Sequence, residues 1–368
     1  MNMIPQWPTL RNPASRRSFG ASLAASLLAA SGLFFLVARA KTAGAGEPKP
    51  LVIAVVTADW APSLRIAWLD PYADLSGRRV VAVSDASYDR LRAMVTTGRV
   101  EWNVVELTPA WQAAARRDDL LENLDFSAMD HSQLIVGADL VTETSVADVV
   151  WSHVMFFNTQ QFPDGRQPQN WAGMWDINGF PGKRSLPKAA NSGVLEAALM
   201  ADGVAAAQLY PLDIDRALRR LGQIKNQVIW WSTAAESQQI MVASQAVLGL
   251  VEDRQALSAI EQGAQISIQY NQSLMTWRSL AIPKGAPDRA ASLAFLRYVL
   301  TPDAQAAMAT ADTYGPVTPA AFDQLPPHRA AMLSGGPQQQ SLARWVDERW
   351  WSENLTHVAA KYDAWRAS

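Results

Sequence analysis

The 368-residue chain contains no cysteine. That excludes a disulfide framework, a thiolate nucleophile and a Cys-ligated metal. Histidine is nearly as scarce. His131, His153, His328 and His357 are scattered, with no His-x-x-x-His or His-Glu pairing, so the spacing of a metal site is missing. Neither Gly-x-Ser-x-Gly nor Gly-x-x-x-x-Gly-Lys-Ser/Thr occurs, which removes the serine-hydrolase and P-loop readings. No cofactor is expected. Charged residues make up only 18% of the chain and the net charge is −2. Such a balance offers no basic patch to a nucleic acid.

What the chain does have is an export signature. Ser15-Arg16-Arg17-Ser18-Phe19 is a paired-arginine motif, Gly20 to Val37 is apolar and uncharged, and Ala38-Arg39-Ala40 is a small-x-small cleavage pattern. A cationic start, an apolar run and a small-residue site make a bacterial secretory signal over residues 1–40, of the twin-arginine type. The periplasm is the expected destination. A retained anchor is the alternative, since about 18 apolar residues could span a bilayer. The Ala, Ser and Gly content of the run argues for removal. Four of the 32 basic residues and none of the 34 acidic ones leave with this segment, so the mature chain carries about −6. Without disulfides, the exported protein must be held by its core. The remaining length suits two domains. Fifteen Trp are available for that core or for lining a cleft.

After a linker at 41–49, local signals alternate between strand and helix. Leu51 to Val56 reads as a buried strand and Leu64 to Leu69 as part of a helix. Arg79 to Val83 reads as the next strand. Ser84 or Ser87 could cap a helix from Tyr88 to Thr97, ended by Gly98. Trp102 to Leu107 is a third strand, and Thr108-Pro109 opens another helix. Asp213 to Ile224 has amphipathic spacing, and Thr301-Pro302-Asp303 starts a further helix. This alternation predicts an α/β fold with a parallel sheet covered on both faces. In open α/β sheets ligands meet the loops at the carboxyl ends of strands. That directs attention to Thr57 to Trp60, Ser84 to Ser87 and Thr108 to Trp111. Lys183-Arg184 reads as a solvated loop. Trp151-Ser152-His153 reads as a core histidine, with a cleft rim as the other possibility.

Several segments together resemble the spermidine/putrescine-type solute-binding proteins of ABC importers. They are Trp175 to Leu186, Leu195 to Leu199 with Asp202-Gly203, Tyr210 to Asp215, Trp230-Trp231-Ser232, Ile282 to Gly285, Tyr314-Gly-Pro316 and Trp350 to Asn354. The matches run from about residue 50 to the C-terminus. The resemblance implies a two-lobed periplasmic-binding-protein fold of type II with a ligand cleft between the lobes. It places lobe 1 at 50–152 plus 277–318 and lobe 2 at 153–276 plus 319–368. It implies a non-enzymatic binder that closes on a small solute and presents it to an ABC permease of the inner membrane. A monomer suits that role. A sensory ligand-binding subunit would use the same closure.

The expected ligand contacts are Asp59, Trp60, Thr108, Trp111, Ser232, Glu236, Trp277 and Arg278. Aromatic walls and carboxylates suit a polyamine. Yet Arg278 stands where the resembled proteins have an acid, Thr276 where they have a Trp, and Val251-Glu252-Asp253 where they have Trp-Asn-Gly. The helix entry Ala190-Asn191-Ser192-Gly193 lacks their two acids. An Arg facing the ligand inverts the local charge and favours an anionic or zwitterionic solute. Alternatively Arg278 pairs with Glu252, Asp253 or Glu236 and holds the lobes, or Glu236 and Glu252 form a relocated acidic site.

Overall fold

The computed structural model describes residues 49–58, 60–124, 133–135, 140–163 and 165–368. The export signature and Asp59 lie outside these. Among the described residues, ten strands form one sheet: β1 Leu51–Ala54, β2 Val80–Val83, β3 Val104–Leu107, β4 Ser145–Asn158, β5 Arg184–Pro187, β6 Val228–Trp231, β7 Leu248–Glu252, β8 Ile266–Ala281, β9 Gly315–Pro316 and β10 Arg344–Trp345. The path runs β2-β1-β3-β8-β4-β7-β5-β6, with β9 beside β4 and β10 beside β8.

The sheet is not parallel throughout. β1 pairs in parallel with β2 and β3, and β5 with β6 and β7. Between these two blocks lies a long antiparallel ribbon of β4 and β8, of 14 and 16 residues. The Ser145/Ala281 end of the ribbon joins β3, and the other end joins β7 from His153↔Glu252 to Phe157↔Leu248. Each ribbon strand therefore serves both blocks. The register shifts between His153 and Met155, where the partners change. Such bulges bend and twist a strand.

The blocks have separate cores. Leu51, Ile53, Trp68 and Phe295 belong to one apolar cluster, and Leu186, Val194, Leu248 and Tyr362 to another. Helices pack on both sides as the strand–helix alternation requires. The helical run at 61–76 passes through a π segment at Arg65–Leu69 and is pinned by Trp68, whose indole donates to Ala304 O at 2.8 Å. Ser87 caps Tyr88–Thr97 by accepting from Arg90 N, and Gly98 ends that helix at φ 66°, a left-handed value that costs glycine little. Thr108 caps Pro109–Arg117, Asp213 caps Ile214–Gly222 and Thr301 caps Pro302–Ala311.

One local reading is overturned. Arg184 is not on a solvated loop. It is fully buried as the first residue of β5 and donates to three carbonyls, Met174 O at 2.8 Å, Gly182 O at 2.8 Å and Asp176 O at 3.3 Å. Its neighbour Lys183, just before the strand, is exposed, with its ammonium donating to Asn226 O at 3.1 Å.

A third segment crosses near the ribbon's midpoint. The buried Ser334 hydroxyl lies 2.6 Å from Ser152 Oγ and 2.5 Å from Asp253 Oδ2. It thereby links β4, the start of the helix Asp253–Glu261 and the loop before Pro337–Leu342.

Candidate functional site

Parallel strands of both blocks point their carboxyl ends at the middle of the ribbon. There Trp151 lies opposite Thr276, and His153 opposite both Leu274 and Glu252. Residues 276 and 278 share one face of β8, so Thr276, Arg278 and Trp151 look the same way. On that face Arg278 is held by three aromatic rings. Its guanidinium carbon is 5.2 Å from the Trp60 ring centre, 5.5 Å from Trp151 and 5.5 Å from Tyr314. The rings support each other edge to face, Trp60–Tyr314 at 5.2 Å and Trp151–Tyr314 at 5.8 Å. The negative ring faces attract the cation.

A second guanidinium approaches from the other block. Arg254, at the start of the helix after β7, stands 5.4 Å from the Tyr314 ring centre and pairs with Glu252 at 2.6 Å. Arg278 pairs with Glu106, which is fully buried on β3, at 3.3 Å. The second Glu106 oxygen accepts from Val56 N at 2.7 Å and so anchors the chain leading to Trp60. Asp148 completes the group beneath Arg278. Burial, then the nearby Glu106, pushes its carboxyl well above the usual carboxylate range, against the pull of Arg278. Burial opposes the charge on Arg278, but Glu106, Tyr314 and Asp148 outweigh it and raise the guanidinium further.

Among the described residues, the buried groups around Arg278 without a hydrogen-bond partner include the indole nitrogens of Trp60 and Trp151, the hydroxyl of Thr57 and the carboxyl of Asp148. Native proteins seldom leave buried donors unpaired, and an indole N–H can only donate.

Along the same face of β8, Thr276 hydrogen-bonds the carboxyl of Glu348, the first residue of the helix Glu348–Ala367. Glu348 is half-buried, and burial pushes the pKa of its carboxyl up to about 7. Close by, Glu196 accepts from Tyr210 Oη at 2.6 Å and Trp351 Nε1 at 2.7 Å. Gly193, at φ 78°, brings the start of the helix Val194–Ala201 against His153 and Leu274. A Cβ there would come within 2.9 Å of Leu274 and 3.2 Å of His153.

Of the expected contacts, Trp60 and Arg278 come together here. Trp277 faces the opposite side of β8. Its indole donates to Gln112 Oε1 at 3.1 Å, its ring meets Trp345 at 5.8 Å, and together with Glu348 it lines a cavity of about 300 Å³ between Pro109–Arg117 and Glu348–Ala367. Thr108 spends its hydroxyl capping Trp111 N, and Trp111 packs against the apolar cluster around Leu91 and Trp102. Ser232 and Glu236 satisfy each other beyond β6, the outermost strand of its block, where the Glu236 carboxylate accepts from Ser232 N at 2.6 Å. Both are exposed, so Glu236 is a helix-start acid. Arg278 does pair with a carboxylate, but with Glu106 rather than Glu252, Asp253 or Glu236. Sequence reasoning missed Glu106, Asp148, Arg254, Tyr314 and Glu348. Alternation along β8 would have linked Thr276 to Arg278, but their partners come from distant segments.

The family model of bacterial extracellular solute-binding proteins matches residues 67–332. A γ-aminobutyric acid-binding protein of Pseudomonas aeruginosa is 31% identical over 308 residues, covering 82% of this chain and 86% of its own. Among solved structures, a γ-aminobutyric acid (GABA) receptor superposes with a TM-score of 0.78 at 33% identity, covering 87% of this chain and 98% of its own. A binding protein from A. tumefaciens R10 in complex with agropinic acid gives 0.68 at 30% identity, covering 87% and 99%. The chain therefore belongs to the bacterial extracellular solute-binding proteins, which serve ABC importers. Its α/β architecture is that of the two-lobed periplasmic binding proteins. None of these three relatives is named for a polyamine, so family membership holds without the spermidine/putrescine subtype.

Proposed function

We propose that this protein captures, in the periplasm, a small solute with a carboxylate at one end and an ammonium at the other, and delivers it to an ABC permease. The observation that carries this reading is the pair of indole donors, Trp60 Nε1 and Trp151 Nε1, which lack a partner among the described residues and stand beside the Arg278 guanidinium, with Arg254 against the neighbouring Tyr314 ring. These donors demand an acceptor. A carboxylate supplies one and also suits Arg254 and Arg278. A polyamine ammonium supplies none. At the other end Glu348 offers an acid whose described partner is a neutral hydroxyl, which fits one ammonium group. γ-Aminobutyrate, named in two of the relatives, has this pattern.

The lobes are proposed as 50–152 with 277–318 and 153–276 with 319–368. Support comes from the exchange of β4 and β8 partners around Ser152 and Thr276. Hinge closure of the halves on the solute is the motion this arrangement serves. Export over the twin-arginine route and action as a monomer complete the reading.

Titration calorimetry with a matched set of γ-aminobutyrate, glutarate and putrescine tests it. γ-Aminobutyrate should bind at least about tenfold tighter than putrescine, a difference of about 1.4 kcal/mol. Equal or tighter binding of putrescine would restore the polyamine reading. The pH dependence adds a second check. Glu348 in the free protein titrates at about 7, and an adjacent ammonium lowers that value. Binding near pH 7 should therefore release a proton. Affinity should be highest above pH 7 and fall as the pH drops through it, by up to about tenfold per unit. Glu348→Gln should abolish both the release and the slope.

A further inference from the structure

We propose that the buried carboxyls of Glu106 and Asp148 are specificity-determining residues: by cancelling the charge of Arg278 from behind, they make the pocket choose a solute with one carboxylate over a dicarboxylate. The inference rests on reading the pocket as a carboxylate receptor.

Two guanidiniums flank Tyr314. Left alone they would present two positive charges and favour two carboxylates. Arg254 is balanced by Glu252 within a half-exposed pair. Arg278 is balanced differently. Its partner Glu106 is fully buried and cannot swing toward the solute, because its oxygens are held by Arg278 Nη1 and by Val56 N. The rings of Trp60, Trp151 and Tyr314 stand around the guanidinium, while the carboxylate belongs to β3.

Asp148 gives this balance a reserve. It sits at the β4 irregularity between Ala147↔Ser279 and Val149↔Arg278, where the ladder skips it. It is fully buried. Neither of its carboxyl oxygens has a hydrogen-bond partner among the described residues. Glu106 and Arg278 are the charges that act on it. A single negative charge held between the two carboxyls suffices to balance the one guanidinium. If Glu106 were neutralised, Asp148 could ionise in its place. The two carboxyls therefore act as a pair, and removing one exposes only part of the effect.

The test measures affinity for γ-aminobutyrate, glutarate and putrescine in wild type, Glu106→Gln, Asp148→Asn, the double variant and Arg278→Gln, with melting curves on each. Asp148→Asn should keep the wild-type ratios at pH 7. Glu106→Gln should gain modestly for glutarate. The double variant should raise the glutarate-to-γ-aminobutyrate affinity ratio by at least about tenfold. Arg278→Gln leaves the carboxyls uncompensated and should raise the putrescine-to-γ-aminobutyrate ratio by at least about tenfold. Ratios within about threefold of wild type in the folded double variant or in Arg278→Gln overturn the inference. If the double variant does not fold, Arg278→Gln decides alone. A wild-type protein that takes up putrescine but not γ-aminobutyrate instead sinks the carboxylate reading, and this inference with it.

Discussion

Arg184 stands beside an exposed lysine in sequence, and nothing local separates the two. Its burial follows from β5 lying between β6 and β7, a fact of long-range pairing. Burial lowers its pKa to about 10, against the pull of Asp176, so the guanidinium stays charged at neutral pH. Three carbonyls then depend on it. Arg184→Met should cost about 3 kcal/mol, read by urea unfolding, because it strands buried acceptors as well as losing charge-assisted hydrogen bonds. A loss under about 1 kcal/mol would show that the carbonyls find other donors. The proposed ligand site poses the same problem of legibility. Trp60 and Arg278 are conspicuous as types, but Glu106, Asp148 and Glu348 look like any surface acids until two strands and the last helix, from three parts of the chain, bring them together.

Elements defined by local chemistry are legible in the sequence. Tyr88–Thr97 is bounded by Ser87 and Gly98 as its residues dictate, and Thr108-Pro109 opens its helix as expected. Caps act within four residues, so no distant partner can mislead. Ser87→Ala and Thr108→Ala should each cost about 1 kcal/mol in chemical unfolding. Thr108→Ala should leave solute affinity within about twofold, since its hydroxyl is spent on Trp111 N. A larger loss would return Thr108 to the pocket. β4 and β8 are the elements the residues did not announce. β4 is buried along nearly its whole length, and β8 passes from a half-buried first half to a buried second half, so neither shows a single two-residue period.

At the scale of the whole molecule, strand–helix alternation gives the α/β class, and the resemblance gives the two-lobed fold. Alternation alone predicts a wholly parallel sheet; the antiparallel ribbon between the blocks comes from segments with no short-range signature. The ribbon, Ser334 and Asp253 tie both blocks together. Differential scanning calorimetry should therefore show one cooperative transition. Saturating solute at about 100 times its Kd should stabilise the protein by about 2.7 kcal/mol and raise that single melting temperature. Two resolved transitions, with only one responding to solute, would show that the blocks unfold independently.

The shared ribbon also bears on how the protein can be made. β8 is needed beside β3 in the first block, yet it is synthesised only after β5, β6 and β7 of the second. A nascent chain halted near Asn158 would have an unclosed sheet, with β3 lacking β8 and β4 lacking β7, β8 and β9. Folding must therefore wait for most of the polypeptide to emerge, so the two blocks cannot be completed one after the other.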